Sequence, residues 1–381
     1  MFELPSPIYR AEQVRALDRF ASERCGIPSY SLMSRAGEVA FRLMRTRWPS
    51  AERITVLCGP GNNGGDGYVI ARLAHAAGFA VRAVALSDPA ALKGDARRAW
   101  QDLLAAGGKT VEWQDAELNQ AEVVVDAIFG TGLDRPMARE YLERVELVNA
   151  ANRPVLAIDL PSGLDADRGQ PLTVAVQAEC CITFVGLKIG LFVGKGPDCA
   201  GRLFFDGLGV PPAPPDVGPP VAERLMDASI GRLLPRRVRT AHKGDHGRVL
   251  IVGGGLGMAG AARLAGEACL RAGAGLVTIA TRAANVPAIV GSRPELICHG
   301  VEEATAIDPL IERADVVALG PGLGQDAWAR SLFDRVIASG RPLLVDADAL
   351  NLLAARPARR DDWVLTPHPG EAARLLGRAI P

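Results

Sequence analysis

The sequence predicts an α/β protein of two domains, each built on a parallel sheet. Three observations carry this. Short apolar runs alternate with helical stretches along 381 residues, the pattern of βαβ units. A chain of that length corresponds to two or three domains at roughly 100–200 residues each. Six prolines between Val210 and Val221 (Pro211, Pro212, Pro214, Pro215, Pro219 and Pro220) favour a stiff extended path that neither joins a sheet nor continues a helix. They are expected to link a first domain, 1–209, to a second, 222–381, with 210–221 as the linker.

The elements follow in order. Val14, Leu17 and Ala21 recur at helical spacing, so Ala11 to Cys25 reads as a helix that Gly26 and Pro28 end. A second helix is expected from Leu32 to Arg45. Arg53–Cys58 is a β-like run, followed by a Gly-rich loop and a helix over Tyr68–Ala77. Further strands are expected at Val81–Leu86, Val123–Asp126, Val155–Asp159 and Cys181–Val185. In the second half Arg248–Val252 reads as a strand, Ala259–Ala272 as a helix and Leu276–Ala280 as a strand. Val316–Leu319, Leu343–Val345 and Trp363–Leu365 complete the set.

Composition narrows the function. Lys plus Arg and Asp plus Glu both total 43, which argues against a large basic face for nucleic acid and against a polybasic membrane anchor. The longest uncharged stretch, Val249 to Ala262, is too short to span a bilayer. The N-terminus lacks the basic and apolar regions of a signal peptide. Seven cysteines, odd in number and without a C-x-x-C pair, suggest neither a zinc site nor a disulfide framework. The expectation is a cytoplasmic enzyme with reduced thiols and a small-molecule substrate. A homo-oligomer is left open.

Polar loops follow the strands of the first half. G-P-G-N-N-G-G-D-G, Gly59 to Gly67, matches G-x-G-x-x-G between a strand and a helix, by itself a weak dinucleotide fingerprint. Asn62, Asn63 and Asp66 add oxygen ligands, which suit hard cations, although such residues also cap helices. Asp126 leads into I-F-G-T-G-L, Asp159 into L-P-S-G, and Thr183–Val185 into Lys188 and Gly190. In an open parallel sheet all four loops gather at the carboxyl ends of the strands. Two aspartates and a lysine on one edge are a candidate acid/base constellation.

L-M-S-R-A-G (Leu32–Gly37), N-N-G-G-D-G, V-D-A-I-F-G-T-G-L, I-D-L-P-S-G-L-D-A-D and T-F-V-G-L-K, in this order, resemble the NAD(P)H-hydrate epimerase family over roughly residues 1–210. The resemblance implies a Rossmann-like three-layer α/β/α domain that interconverts the R and S hydrates of NADH and NADPH. It implies substrate contacts at Asn62, Asn63, Gly64, Gly65 and Asp66, at Gly130, Thr131, Gly132, Leu133, Asp134, Arg135 and Pro136, and at Asp159. It also implies a potassium ion (K+) held by Asn63, Asp126 and Ser162. Epimerising a carbon that bears a hydroxyl and a ring nitrogen means breaking and remaking one of its bonds. An acid must assist the departing oxygen and a base must restore the proton. Asp159 and Lys188 are the expected acid/base pair.

The second half carries G-A-A-R-L-A-G (Gly260–Gly266), G-P-G-L-G (Gly320–Gly324), D-A-D-A-L-N (Asp346–Asn351) and T-P-H-P-G-E (Thr366–Glu371). Together these resemble the NAD(P)H-hydrate dehydratase family, of ribokinase-like fold. The resemblance implies hydrate contacts at Ala261, Gly322, Gly324 and His368. It also implies use of ADP, with Mg2+, to phosphorylate the hydrate hydroxyl before phosphate is eliminated. The family's later G-T-G-D loop has no counterpart before Pro381. An incomplete, C-terminally truncated domain is therefore expected, with epimerase activity present and dehydratase activity absent in this polypeptide alone.

Three rival readings remain. A plain nicotinamide-dependent dehydrogenase would use the first Gly loop and read a ribose with Asp88. A ribokinase-like small-molecule kinase would rest on the second half. A non-catalytic nucleotide-binding module would use neither Asp159 nor Lys188.

Overall fold

The computed structural model describes residues 3–379 apart from 114, 134 and 235. It divides into two compact units, Met1–Leu234 and Pro235–Pro381.

The first unit opens with β1 (Pro7–Tyr9), α1 (Ala11–Glu23) and α2 (Ser29–Arg47). Helix α1 buries Ala11, Val14, Leu17 and Ala21, three or four residues apart as one helix face requires. Then come β2 (Arg53–Cys58), α3 (Asn62–Ala76), β3 (Ala80–Ala85), α4 (Gly94–Ala105), β4 (Thr110–Val111), β5 (Val123–Ala127) and α5 (Arg139–Ala150). β6 (Val155–Ile158), β7 (Cys180–Phe184), β8 (Leu187–Lys188), α6 (Gly196–Ala200), β9 (Arg202–Asp206), β10 (Ala222–Glu223) and α7 (Asp227–Leu233) complete it.

Seven strands form one sheet in the order β4-β3-β2-β5-β6-β7-β9, every neighbouring pair parallel. Strands β2, β5, β6 and β7 are buried on both faces apart from Arg53, which is why they read as unbroken apolar runs. One core, with Met33, Leu43, Ile70 and Leu103, packs α2, α3 and α4 on one face. Another, with Tyr141, Val145, Leu164 and Val176, covers the opposite face. This is the three-layer α/β/α architecture expected. The chain reverses its winding between β2 and β5, and a crevice opens at such a point.

Two boundaries differ from expectation. Helix α3 begins at Asn62 rather than Tyr68, so N-N-G-G-D-G is its first turns and not a loop. Gly61, extended, precedes it, and the glycines let the helix start press against the sheet. A Cβ on Gly64 would lie 2.0 Å from the Gly59 carbonyl oxygen, and one on Gly59 would lie 1.9 Å from that of Ile128. The second difference is the division at Leu234, beyond the proline segment. β10 pairs with β1, and Gln13 Nε2 donates to the carbonyls of Val217 and Pro219 at 3.2 and 2.9 Å. The prolines thus run along the first unit, because hydrogen bonds from α1 satisfy carbonyls that a sheet cannot use.

The second unit contains β11 (Arg248–Val252), α8 (Ala259–Ala272), β12 (Leu276–Thr281), α9 (Val286–Ser292), β13 (Ile297–Gly300), α10 (Asp308–Arg313) and β14 (Val316–Leu319). α11 (Ala327–Ala338), β15 (Leu343–Val345), α12 (Asp348–Ala355), β16 (Trp363–Leu365) and α13 (Pro369–Leu376) follow. Its six-stranded sheet has the order β13-β12-β11-β14-β15-β16, again all parallel. The winding reverses between β11 and β14. Strand β13 escaped the sequence reading because three of its four residues are exposed or polar.

Candidate active site

In the first unit a cavity of about 630 Å³ opens at the carboxyl ends of the strands. Its walls come from α1 (Arg15, Asp18, Arg19), α2 (Met33), the start of α3 (Asn62, Asn63, Asp66) and the loop after β5 (Ile128 to Leu133). Asp159 and Lys188 also line it.

The charged centre is built from the backbone outward. Asp159 follows β6 with φ +68°, a left-handed conformation unusual for a residue other than glycine. Its N–H donates to the Ile182 carbonyl at 2.8 Å. Lys188 is only 1% exposed and pairs with Asp159 Oδ1. Its ammonium also donates to Thr183 Oγ1 and to the Phe184 carbonyl, both at 2.9 Å. A lysine has three N–H donors, and all three are occupied. The other Asp159 oxygen, Oδ2, accepts from the Thr131 N–H at 3.2 Å.

Val185 and Leu208, at φ +64° and +52°, also line the cavity. Of the five non-glycine residues with positive φ among the described residues, three face this cavity. Backbone strain of this kind concentrates where geometry is held for function.

Asp126 and Ser162 form a buried oxygen cluster. Ser162 Oγ donates to Asp126 Oδ1 at 2.6 Å and Ser162 N–H to Oδ2 at 2.8 Å. The Phe129 N–H donates to Ser162 Oγ at 2.8 Å. Burial pushes the Asp126 carboxyl up to about 6, against the hydrogen bonds from Ser162 and Ile128 that lower it. Asn63 is buried too, and among the described residues neither its amide oxygen nor its nitrogen has a partner. Such orphaned polar atoms carry a desolvation penalty of about 1–3 kcal/mol. Carboxylate, hydroxyl and amide oxygens of this type suit a hard cation.

The cavity also holds carboxyls of unusual proton affinity. Burial, with Asp159 and Asp18 near, pushes Asp66 well above the carboxylate range, while Lys188 acts in the opposite sense. Loss of surrounding water pushes Asp18 up to about 6, with Lys188 lowering and Asp159 raising it.

Of the expected residues, Asn62, Asn63, Asp66, Gly130, Thr131, Gly132, Leu133, Asp159 and Lys188 line one cavity. A Cβ on Gly130 would lie 2.8 Å from Asp159 Oδ2 and 3.5 Å from the Asn63 amide, so these three positions meet. Gly64 and Gly65 serve close packing of α3, Gly65 against Met33. Arg135 and Pro136 are exposed and are not among the lining residues. Asp134 lies outside the described residues. Sequence reading missed Arg15, Asp18 and Arg19. The apolar stripe of α1 signalled burial, and only the fold turns the polar positions beside it toward the site.

In the second unit the glycine loops meet at the reversal between β11 and β14. Gly254 N–H donates to the Pro321 carbonyl at 3.0 Å and Gly255 N–H to that of Gly322 at 2.6 Å. A Cβ on Gly322 would lie 2.9 Å from Ala261 Cβ, so Ala261 and Gly322 adjoin. Gly324 N–H donates to Asp348 Oδ2 at 2.8 Å. His368 caps α13, its Nδ1 accepting from the Gly370 N–H at 3.0 Å. Thr366 Oγ1 donates to Asp346 Oδ1 at 2.7 Å, tying the His368 loop to the D-A-D loop.

Each unit is thus a doubly wound α/β domain with glycine loops at its switch point, the class of small-molecule and nucleotide-handling enzymes. Residues 29–190 match the family model described as YjeF-related protein N-terminus, and residues 249–380 that described as NAD(P)H-hydrate dehydratase. The chain is 45% identical over 370 residues to the bifunctional NAD(P)H-hydrate repair enzyme Nnr of Coxiella burnetii, covering 97% of this chain and 76% of that one. Against the enzyme of the same name from Escherichia coli it is 42% identical over 381 residues, covering 99% and 73%. A solved structure of the ADP/ATP-dependent NAD(P)H-hydrate dehydratase from Bacillus subtilis, co-crystallised with ATP and Mg2+, is 34% identical, covering 40% of this chain and 55% of that one with a TM-score of 0.36. The chain belongs to the family of bifunctional NAD(P)H-hydrate repair enzymes. Among the described residues no helix is long and apolar enough to cross a membrane.

Proposed function

We propose that the first unit interconverts the R and S hydrates of NADH and NADPH in the cavity that Asp159 and Lys188 line. The observation that carries this reading is their ion pair, with Lys188 buried, at the carboxyl ends of the strands. The hydrated ring carbon bears a hydroxyl and the ring nitrogen, so inversion needs a proton delivered to oxygen and a base to take one back. Asp159 presents Oδ2 toward the cavity and is the base. Lys188, its donors occupied, fixes the carboxylate in place. The start of α3, with Asn62, Asn63 and Asp66, and the Gly130–Leu133 loop take the rest of the dinucleotide. Helix N-termini receive phosphate groups in this way.

Asn63, Asp126 and Ser162 would hold K+ through oxygen atoms. The ion would supply positive charge that fixes the loops around the substrate. In the second unit Ala261, Gly322, Gly324 and His368 would contact the hydrate, and ADP with Mg2+ would serve its dehydration in the complete family member. Seven free cysteines fit a reducing cytoplasm as the site of action.

Purified chain is incubated with R hydrate, without nucleotide, and the S hydrate is followed by chromatography. Interconversion is expected, and Asp159→Ala should slow it by about 10²–10⁴, the range for lost acid–base catalysis. Unchanged turnover in that variant removes Asp159 from the reaction. No interconversion by the wild-type chain removes the epimerase reading.

A further inference from the structure

We infer that Asp18, on the N-terminal helix α1, is the acid that gives its proton to the departing oxygen in the first unit's reaction. This rests on the epimerase reading above. Helix α1 precedes the segment 29–190 that the family model matches, and none of the motifs pointed to it.

The geometry leads there by elimination and by placement. Lys188 is a poor proton donor toward substrate, because its three N–H groups already serve Asp159, Thr183 and Phe184. Asp159, held by that ammonium and by the Thr131 N–H, is an acceptor. A second proton-handling group must come from elsewhere on the wall. Val14, Asp18 and Ser22, four residues apart, form a stripe of α1 that lines the cavity. The helix is fastened in that position at two points. Arg15 Nη1 donates to the Thr131 carbonyl at 2.7 Å, and the Ala11 N–H donates to Asp167 Oδ1 at 2.7 Å. Arg15 thereby grips the same residue whose N–H holds Asp159.

The charged groups lining the cavity around Asp18 are Arg15 and Arg19 on its own helix, Asp66 on α3, Asp95 at the start of α4, and Asp159 with Lys188 at the strand ends. Among the carboxyls, Asp66 is pushed well above the carboxylate range by burial, which favours its protonated form. Asp18, near 6, can both release and regain one close to neutrality, as a reversible reaction requires.

The step balances without any oxidant or reductant. The protonated Asp18 carboxyl passes its proton to the C6 hydroxyl. The C6–O bond breaks, its electron pair leaving with water, and the ring nitrogen lone pair forms a C6=N1 iminium. Water adds to the other face of C6, its electron pair makes the new C–O bond, and its proton passes to the Asp159 carboxylate. One proton then returns from Asp159 to Asp18 through cavity water. In the opposite direction the two carboxyls exchange roles.

The test is the pH profile of R/S interconversion by the full chain. Wild-type kcat in the R-to-S direction should fall as pH rises through the Asp18 titration. Asp18→Asn should lower kcat by about 10²–10⁴ with little change in KM and abolish that limb, and Asp18→Glu should restore part of the rate. Arg19→Gln, which removes a cation that lowers Asp18, should move the limb to higher pH. That variant carries the test should Asp18→Asn fail to fold. Wild-type kcat and an unmoved limb in Asp18→Asn, or an unmoved limb in Arg19→Gln, overturns the inference. Failure of the wild-type chain to interconvert the hydrates would instead sink the epimerase reading itself.

Discussion

Replacing Lys188 with Met tests the charged centre most directly. Methionine preserves an unbranched apolar stem in a position that is only 1% exposed and removes the ammonium. Three acceptors lose their donor: Asp159 Oδ1, Thr183 Oγ1 and the Phe184 carbonyl. Breaking a buried ion pair from one side costs about 3–5 kcal/mol. The Asp159 side chain is 16% exposed toward the cavity and keeps the Thr131 N–H, which places the loss near the lower end. The Thr183 hydroxyl, 3.4 Å from Asp159 Oδ1, can donate to the carboxylate and relieve part of the deficit. A loss of about 3 kcal/mol corresponds to a fall of roughly 6–12 °C in the melting of a domain of this size. Calorimetry of the full chain reads the melting, and chromatography of R and S hydrates reads the rate, which should drop by about 10²–10⁴. Lys188→Met/Asp159→Leu should recover part of the stability and none of the activity, because the stranded carboxylate is gone while the base is missing. A Lys188→Met protein that melts like the wild type and epimerises at the wild-type rate refutes the role given to this pair.

Three further outcomes are expected. Asp126 titrates near 6 in the folded chain and near 3.9 when unfolded, so between those values the folded state holds the extra proton. In K+-free buffer the stability of the first unit should therefore fall as pH rises from about 4 through about 6 and level off above. Added K+ should raise the melting temperature at neutral pH, and Asp126→Asn should abolish both effects; equal melting in K+ and in choline would remove the cation from Asn63, Asp126 and Ser162. Gly130→Ala would place a methyl 2.8 Å from Asp159 Oδ2. At this half-buried loop it should cost at least tenfold in rate, about 1.4 kcal/mol of barrier, with little change in melting, and an unaltered rate would show that Asp159 tolerates displacement.

Much of this molecule was legible before folding. Buried parallel strands such as Val123–Ala127 and Val155–Ile158 announce themselves as apolar runs because both of their faces are covered. The residues that follow them stood out because loops at strand ends carry the polar groups of an α/β protein. Hence Asn63, Asp126, Asp159 and Lys188 stood out from the order of strands and loops, whereas Ser162 entered only through the resemblance to the epimerase family. Less could be read where local pattern and environment part company. The string N-N-G-G-D-G resembles a loop, yet it is helical because glycines let its backbone lie against Gly59. The proline segment resembles a free linker, yet Gln13 and β1 hold it to the first unit.

Local chemistry, then, set the strands, the helices and the reactive residue types, since each depends on neighbours within a few positions. Only the tertiary fold could decide that Lys188 spends all its donors, that Asn63 has none to answer it, and that Asp18 faces the cavity. Those properties belong to groups distant in the chain and near in space, and proton affinity and hydrogen-bond satisfaction are fixed by that proximity.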